Sequence, residues 1–108
     1  MQCKLGLSLI SFLGASKISS QCLPAIQAHQ GGVTSLVCHD KEAIQAVEQF
    51  LTDHRFFVEP ACGATLAAIY SGYLEQITLQ EGPIVPIVCG GNSVSLEMIQ
   101  FWKDNAYS

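Results

Sequence analysis

The sequence predicts an α/β fold built on a mostly parallel sheet, and three observations carry that prediction. Short apolar runs alternate with segments of helical spacing. Two of the runs end in corners of small residues, Val58-Glu59-Pro60-Ala61-Cys62-Gly63-Ala64 and Ile87-Val88-Cys89-Gly90-Gly91-Asn92. Of the 108 residues, 49% are hydrophobic and only 13% are charged, so part of the surface is expected to be covered. Strand, helix, strand, helix in this order implies parallel neighbours in a layered sheet.

Asp40 is placed to cap a helix whose apolar positions Ala43, Ile44, Val47, Phe50 and Leu51 follow helical spacing, ending near His54. Thr34 to Cys38 before it and Phe56 to Val58 after it read as strands, apolar as befits a sheet covered on both faces. Pro60 suits an early helical position, and Ala61 to about Ile77 is rich in alanine and leucine. Gly82 and Pro83 lead into a third strand, Ile84 to Val88. Gly90-Gly91 breaks it, and Val94 to Lys103 resumes helical spacing through Leu96, Ile99, Phe101 and Trp102. Ser16 to Ala28 would be helical, but Pro24 should kink or end it. Gln30-Gly31-Gly32 is a turn.

At this length a single core is expected, and two domains are not. The net charge of -4, with four lysines and one arginine scattered along the chain, argues against nucleic acid as a partner. No apolar run approaches the roughly 18 residues of a membrane span. Lys4 followed by Leu5 to Ala15 has the form of a short secretory signal. The five cysteines, Cys3, Cys22, Cys38, Cys62 and Cys89, count against secretion: an odd set without a CxxC pair fits reduced thiols in the cytoplasm.

Ligands of open α/β sheets gather at the carboxyl ends of strands, where both corners fall. Cys89 is expected at such an end, with Gly90 and Gly91 allowing close backbone approach. Packing is the commoner role of a cysteine there. The glycines match neither a dinucleotide fingerprint nor a P-loop. Glu59 suits a helix N-terminus, where a carboxylate offsets the dipole. Cys62 could have its pKa lowered in a first helical turn, but the small residues around it favour packing. The histidines offer no catalytic set, and no lysine shows the desolvated setting of a Schiff-base residue.

Taken together, Val58 to Gly72 and Ile87 to Asn92 closely resemble the carboxyl-terminal region of animal L-serine dehydratase/L-threonine deaminase. That family depends on pyridoxal phosphate (PLP) and has the tryptophan-synthase-β type of fold. The likeness extends through Lys41-Glu42-Ala43 and back to Leu13-Gly14-Ala15, from about Ser8. Pro24 and the Gln30-Gly31-Gly32 turn depart from the family, as does the stretch from Met1 to about Leu7. The resemblance implies that residues 1–108 are part of the large, PLP-binding domain, with no complete second domain. The expected fold is then a partial, doubly wound, three-layer sheet.

The same resemblance implies the chemistry. Cys89 would face the pyridine nitrogen of PLP, Gly90 and Gly91 would let the ring sit against the backbone, and Asn92 would support the turn. Leu13 and Ala15 would offer backbone carbonyls to potassium or another monovalent cation. The complete enzyme would be a cytoplasmic homodimer that removes water and then ammonia from L-serine or L-threonine, giving pyruvate or 2-oxobutanoate. The family's Schiff-base lysine motif and glycine-rich phosphate loop are not found in this sequence, so the chain is expected to be inactive alone, with no catalytic residue of its own. The alternative is a non-catalytic form that associates with full-length subunits.

Overall fold

A computed structural model describes residues 19–77 and 82–106. Four α-helices run along them: α1 (Cys22–Ala28), α2 (Asp40–His54), α3 (Pro60–Tyr70) and α4 (Leu96–Ala106). A 3-10 turn, Tyr73–Gln76, follows α3. In α1, Pro24 falls within the first turn, where a backbone N–H has no intrahelical partner and its absence costs nothing.

The helix expected over Asp40 to His54 forms with those bounds. Its N-cap is His39, one residue earlier than the Asp40 expected from the sequence. The Glu42 carboxylate reaches back to accept from the His39 N–H at 2.8 Å, satisfying a donor that the helix itself leaves open. At the other end Arg55 takes the left-handed conformation, with its N–H donating to Leu51 O at 2.9 Å. Helix α3 begins at Pro60, as its fixed φ favours, but stops at Tyr70 instead of continuing to Ile77. Gly72 has φ 73°, a left-handed turn that ends the helix.

Helices α2 and α3 pack most extensively, and α4 lies against α2. Gly63 makes the first contact possible: a Cβ there would collide with the Ala43 carbonyl oxygen and stand 2.8 Å from Val47 Cγ2. The core gathers Ala46 and Val47 of α2, Cys62, Leu66 and Ala67 of α3, Ile99 of α4, and Val58. Cys38, Phe50, Leu51, Val94 and Trp102 border it. On the surface Lys103 of α4 pairs with Glu48 of α2 at 2.8 Å. Tyr70 and Tyr73 reach opposite ends of α2: one donates to Asp53 at 3.4 Å, the other to Glu42 at 2.8 Å.

The expected parallel sheet, and with it the doubly wound three-layer architecture, is absent: the described residues contain no strand. Residues 34–38, 56–58 and 84–88 are non-helical but form no ladder. The backbone bond joining the last two segments is Glu59 N–H to Gly90 O at 2.9 Å, and one bond does not pair two strands. Parallel strands need cover on both faces, whereas Val37, Val85 and Ile87 are 85%, 71% and 69% exposed. Pro86 adds a chemical reason: in the middle of the third segment it has no N–H to give a ladder.

Candidate functional site

The two corners that stand apart in the sequence meet in space. Glu59, the N-cap of α3, has its N–H on Gly90 O at 2.9 Å. Gly91 lies flat on the first corner: a Cβ there would collide with the Phe57 carbonyl oxygen and stand 2.7 Å from Val58 N. No side chain larger than hydrogen fits that approach. Ser93 Oγ then donates to Glu59 Oε1 at 3.3 Å, so the carboxylate ties the second corner to the start of α3.

Between the corners sits a pair of thiols. The first turn of α3 places Cys62 in the core, 4% exposed. Its sulfur accepts from the Cys89 N–H at 3.3 Å and donates to Gly90 O at 3.6 Å. The expected packing role of Cys62 agrees with this burial, but the sulfur also fastens the neighbouring segment. Cys89 differs from the common buried cysteine, because its side chain is exposed. The neighbouring Cys62 thiol pushes the Cys89 thiol above its ordinary range, both through its charge and as a hydrogen-bond partner. Desolvation and the Glu59 charge add to the rise, so Cys89 stays a neutral S–H near neutral pH.

Gly90 continues the exposed face; no described atom lies within 4 Å of where its Cβ would stand. Asn92 is exposed in the turn, which is closed by the Val94 N–H on Gly91 O at 2.9 Å. Thus Cys89, Gly90, Gly91 and Asn92 lie together, with Gly91 committed to backbone packing and Cys89 and Gly90 open. The cation ligands expected at Leu13 and Ala15 fall outside the described residues. Among the described residues no three His, Cys, Asp or Glu side chains cluster as metal ligands would.

Sequence spacing did not reveal the Glu59–Ser93 link, since 34 residues separate the partners. The one available hint is a carboxylate at a helix start and a hydroxyl just after a glycine turn. The described lysines are placed elsewhere: Lys41 is exposed in the first turn of α2, and Lys103 is held by Glu48.

An exposed neutral thiol before an open glycine, braced from below by a helix N-terminus, can donate a hydrogen bond to a flat, weakly basic acceptor. Known proteins carry sequences similar to the one that builds this corner. The Mus musculus protein described as serine dehydratase-like is 42% identical over 102 residues, which cover 89% of this chain and 30% of that protein. The Homo sapiens L-serine dehydratase/L-threonine deaminase is 37% identical over 103 residues, 90% of this chain and 31% of its own. An L-serine dehydratase of Dictyostelium discoideum is 38% identical over 65 residues, 59% of this chain. No family model matches. The chain therefore spans about 30% of the length of the mouse and human relatives. Identity at this level over nearly all of its residues makes the chain a member of the serine dehydratase and serine dehydratase-like family.

Proposed function

We propose that this chain is the cofactor-facing portion of a PLP-dependent L-serine/L-threonine dehydratase, and that it is inactive without the remainder of such an enzyme. The observation that carries this reading is the exposed, neutral Cys89 thiol standing beside the open face of Gly90. The corner suits the pyridine end of PLP: Cys89 would donate its S–H to the ring nitrogen, and Gly90 would leave room for the ring. When bound, PLP supplies the electron sink for loss of water and then ammonia from serine or threonine.

The chain's own residues set the electrostatics of that contact. A carboxylate opposite a pyridine nitrogen would hold it protonated, whereas the Cys89 thiol, its pKa raised by the neighbouring Cys62, offers only a hydrogen bond. Gly91, fixed on the Phe57–Val58 backbone, and Glu59, joined to Ser93, hold the turn in place. Asn92 completes that turn. In a complete enzyme the Schiff-base lysine and the phosphate-binding loop would come from outside this stretch; of the described lysines, Lys41 is exposed in the first turn of α2 and Lys103 pairs with Glu48. The free thiols accord with a cytoplasmic setting.

The test is purified 108-residue protein incubated with PLP and L-serine. No pyruvate is expected, and appreciable pyruvate release overturns the claim that the chain is inactive alone.

A second reading rests on a separate observation. Val37, Val85 and Ile87 lie on non-helical segments with most of their surface in solvent. Such apolar exposure suits a non-catalytic chain that associates with full-length subunits. Co-purification with a complete dehydratase subunit supports this reading; a stable, monodisperse monomer counts against it.

A further inference from the structure

The contact between Cys62 and Cys89 carries more than packing. The Cys89 N lies 3.3 Å from Cys62 Sγ, and covalent geometry then keeps the Cys89 Cα within about 5 Å of that sulfur. Both are free thiols, one exposed to solvent and one buried behind it. The backbones that carry them are already held together by the Glu59–Gly90 bond and by the Cys62 thiol on Gly90 O. Joining the sulfurs therefore calls for side-chain rotation more than backbone travel.

We infer that Cys62 and Cys89 form a reversible redox pair, which a hydroperoxide joins as an intrachain disulfide, withdrawing the Cys89 S–H from the corner. Cys89, the exposed member, attacks a peroxide oxygen as its thiolate. The O–O bond breaks, an alcohol leaves with the thiol's proton (water when the oxidant is hydrogen peroxide), and Cys89 becomes a sulfenic acid. The Cys62 sulfur then attacks the Cys89 sulfur. The S–S bond forms, the S–O bond breaks, and the departing hydroxide leaves as water with the Cys62 proton. Each sulfur gives up one electron, and the peroxide takes both.

The chemistry also sets the conditions. The Cys62 thiol raises the Cys89 pKa, so little thiolate is present near neutral pH and the reaction accelerates as pH rises toward the thiol range. The consequence for PLP rests on the proposed role of Cys89; formation of the disulfide does not. In the oxidised chain neither sulfur keeps a proton to donate, and a thiol reductant restores both.

Tryptic cleavage isolates the pair, because Arg55 and Lys103 bound a peptide, residues 56–103, in which Cys62 and Cys89 are the only cysteines. The reduced 108-residue protein is treated with hydrogen peroxide, alkylated and digested. The expected peptide is about 2 Da lighter than its unalkylated form, carries no alkyl group, and accepts two after dithiothreitol. In Cys62→Ala the disulfide is lost and Cys89 proceeds to sulfinic acid. Two alkylated cysteines after peroxide, or an oxidised Cys89 beside an alkylated Cys62, overturn the redox pair. The cofactor reading is tested separately, in a complete dehydratase whose matching stretch is replaced by these residues: activity there that is indifferent to Cys89→Ala overturns the cofactor reading alone, and an unoxidised pair in the peroxide-treated chain overturns the redox pair alone.

Discussion

The backbone N–H of Cys89 donates to the sulfur of Cys62 at 3.3 Å, although the two residues stand 27 positions apart. That bond, with Glu59 N–H on Gly90 O, fastens an exposed segment to the buried start of α3. The turn is braced, and the sulfur beneath it raises the pKa of the thiol it presents.

The brace depends on Gly91. In Gly91→Ala the new methyl group meets the backbone of Phe57 and Val58, which cannot rotate away as a side chain would. We expect a loss of about 2 kcal/mol in unfolding free energy, read as a lower urea midpoint with an unchanged slope. An unchanged midpoint would show that the two corners do not touch.

A matching test applies to the helix pair. Gly63→Ala drives a methyl group into the Ala43 carbonyl and Val47 Cγ2, so α3 must lift from α2. A loss of about 1–3 kcal/mol is expected from the same urea titration. A variant as stable as the parent contradicts the close approach of α2 and α3.

Glu42 links stability to pH. The His39 N–H and then the Tyr73 hydroxyl hold its carboxyl below the ordinary carboxylate range. A carboxylate with a lowered folded pKa contributes stability above its unfolded pKa of about 4.3 and loses that contribution as pH falls through the folded value. Glu42→Ala should therefore cost about 1 kcal/mol at pH 7, where the capping contact is intact, and much less near pH 3. Urea titrations at the two pH values check this, and a gap that stays constant down to pH 3 contradicts it.

The Lys103–Glu48 pair should matter less. Both side chains keep about a third of their surface, 36% and 34%, and solvent screens exposed pairs. Lys103→Met is expected to shift stability by less than about 1 kcal/mol, with the difference shrinking in 1 M salt. A loss several times larger, insensitive to salt, would show that α4 hangs on this pair instead of on Ile99 and Trp102.

Local features of the fold were legible where residue spacing decides them. The apolar positions from Ala43 to Leu51 marked α2, and Pro60 marked the start of α3. The end of α3 is not legible, because a run of strong helix formers hides the turn at Ser71-Gly72. The expected sheet fails for a tertiary reason: apolar runs become parallel strands only when neighbours cover both faces, and Pro86 takes a donor from one of them. At the site, the sequence indicated Cys89 and its glycines as a group. It did not show that Cys62, Glu59 and Ser93 brace them, because such long-range contacts leave no period in the chain.

The central claim is that this chain supplies the cofactor-facing part of a serine or threonine dehydratase. Its most direct test is a chimera in which these residues replace the matching 103-residue stretch of the Homo sapiens L-serine dehydratase/L-threonine deaminase. PLP-dependent pyruvate release from L-serine is then measured for the chimera and for its Cys89→Ser and Cys89→Ala forms. The account predicts activity in the chimera, retained with serine as donor and reduced about tenfold with alanine, as loss of one such hydrogen bond implies. A folded chimera that releases no pyruvate, or one indifferent to Cys89→Ala, would contradict it.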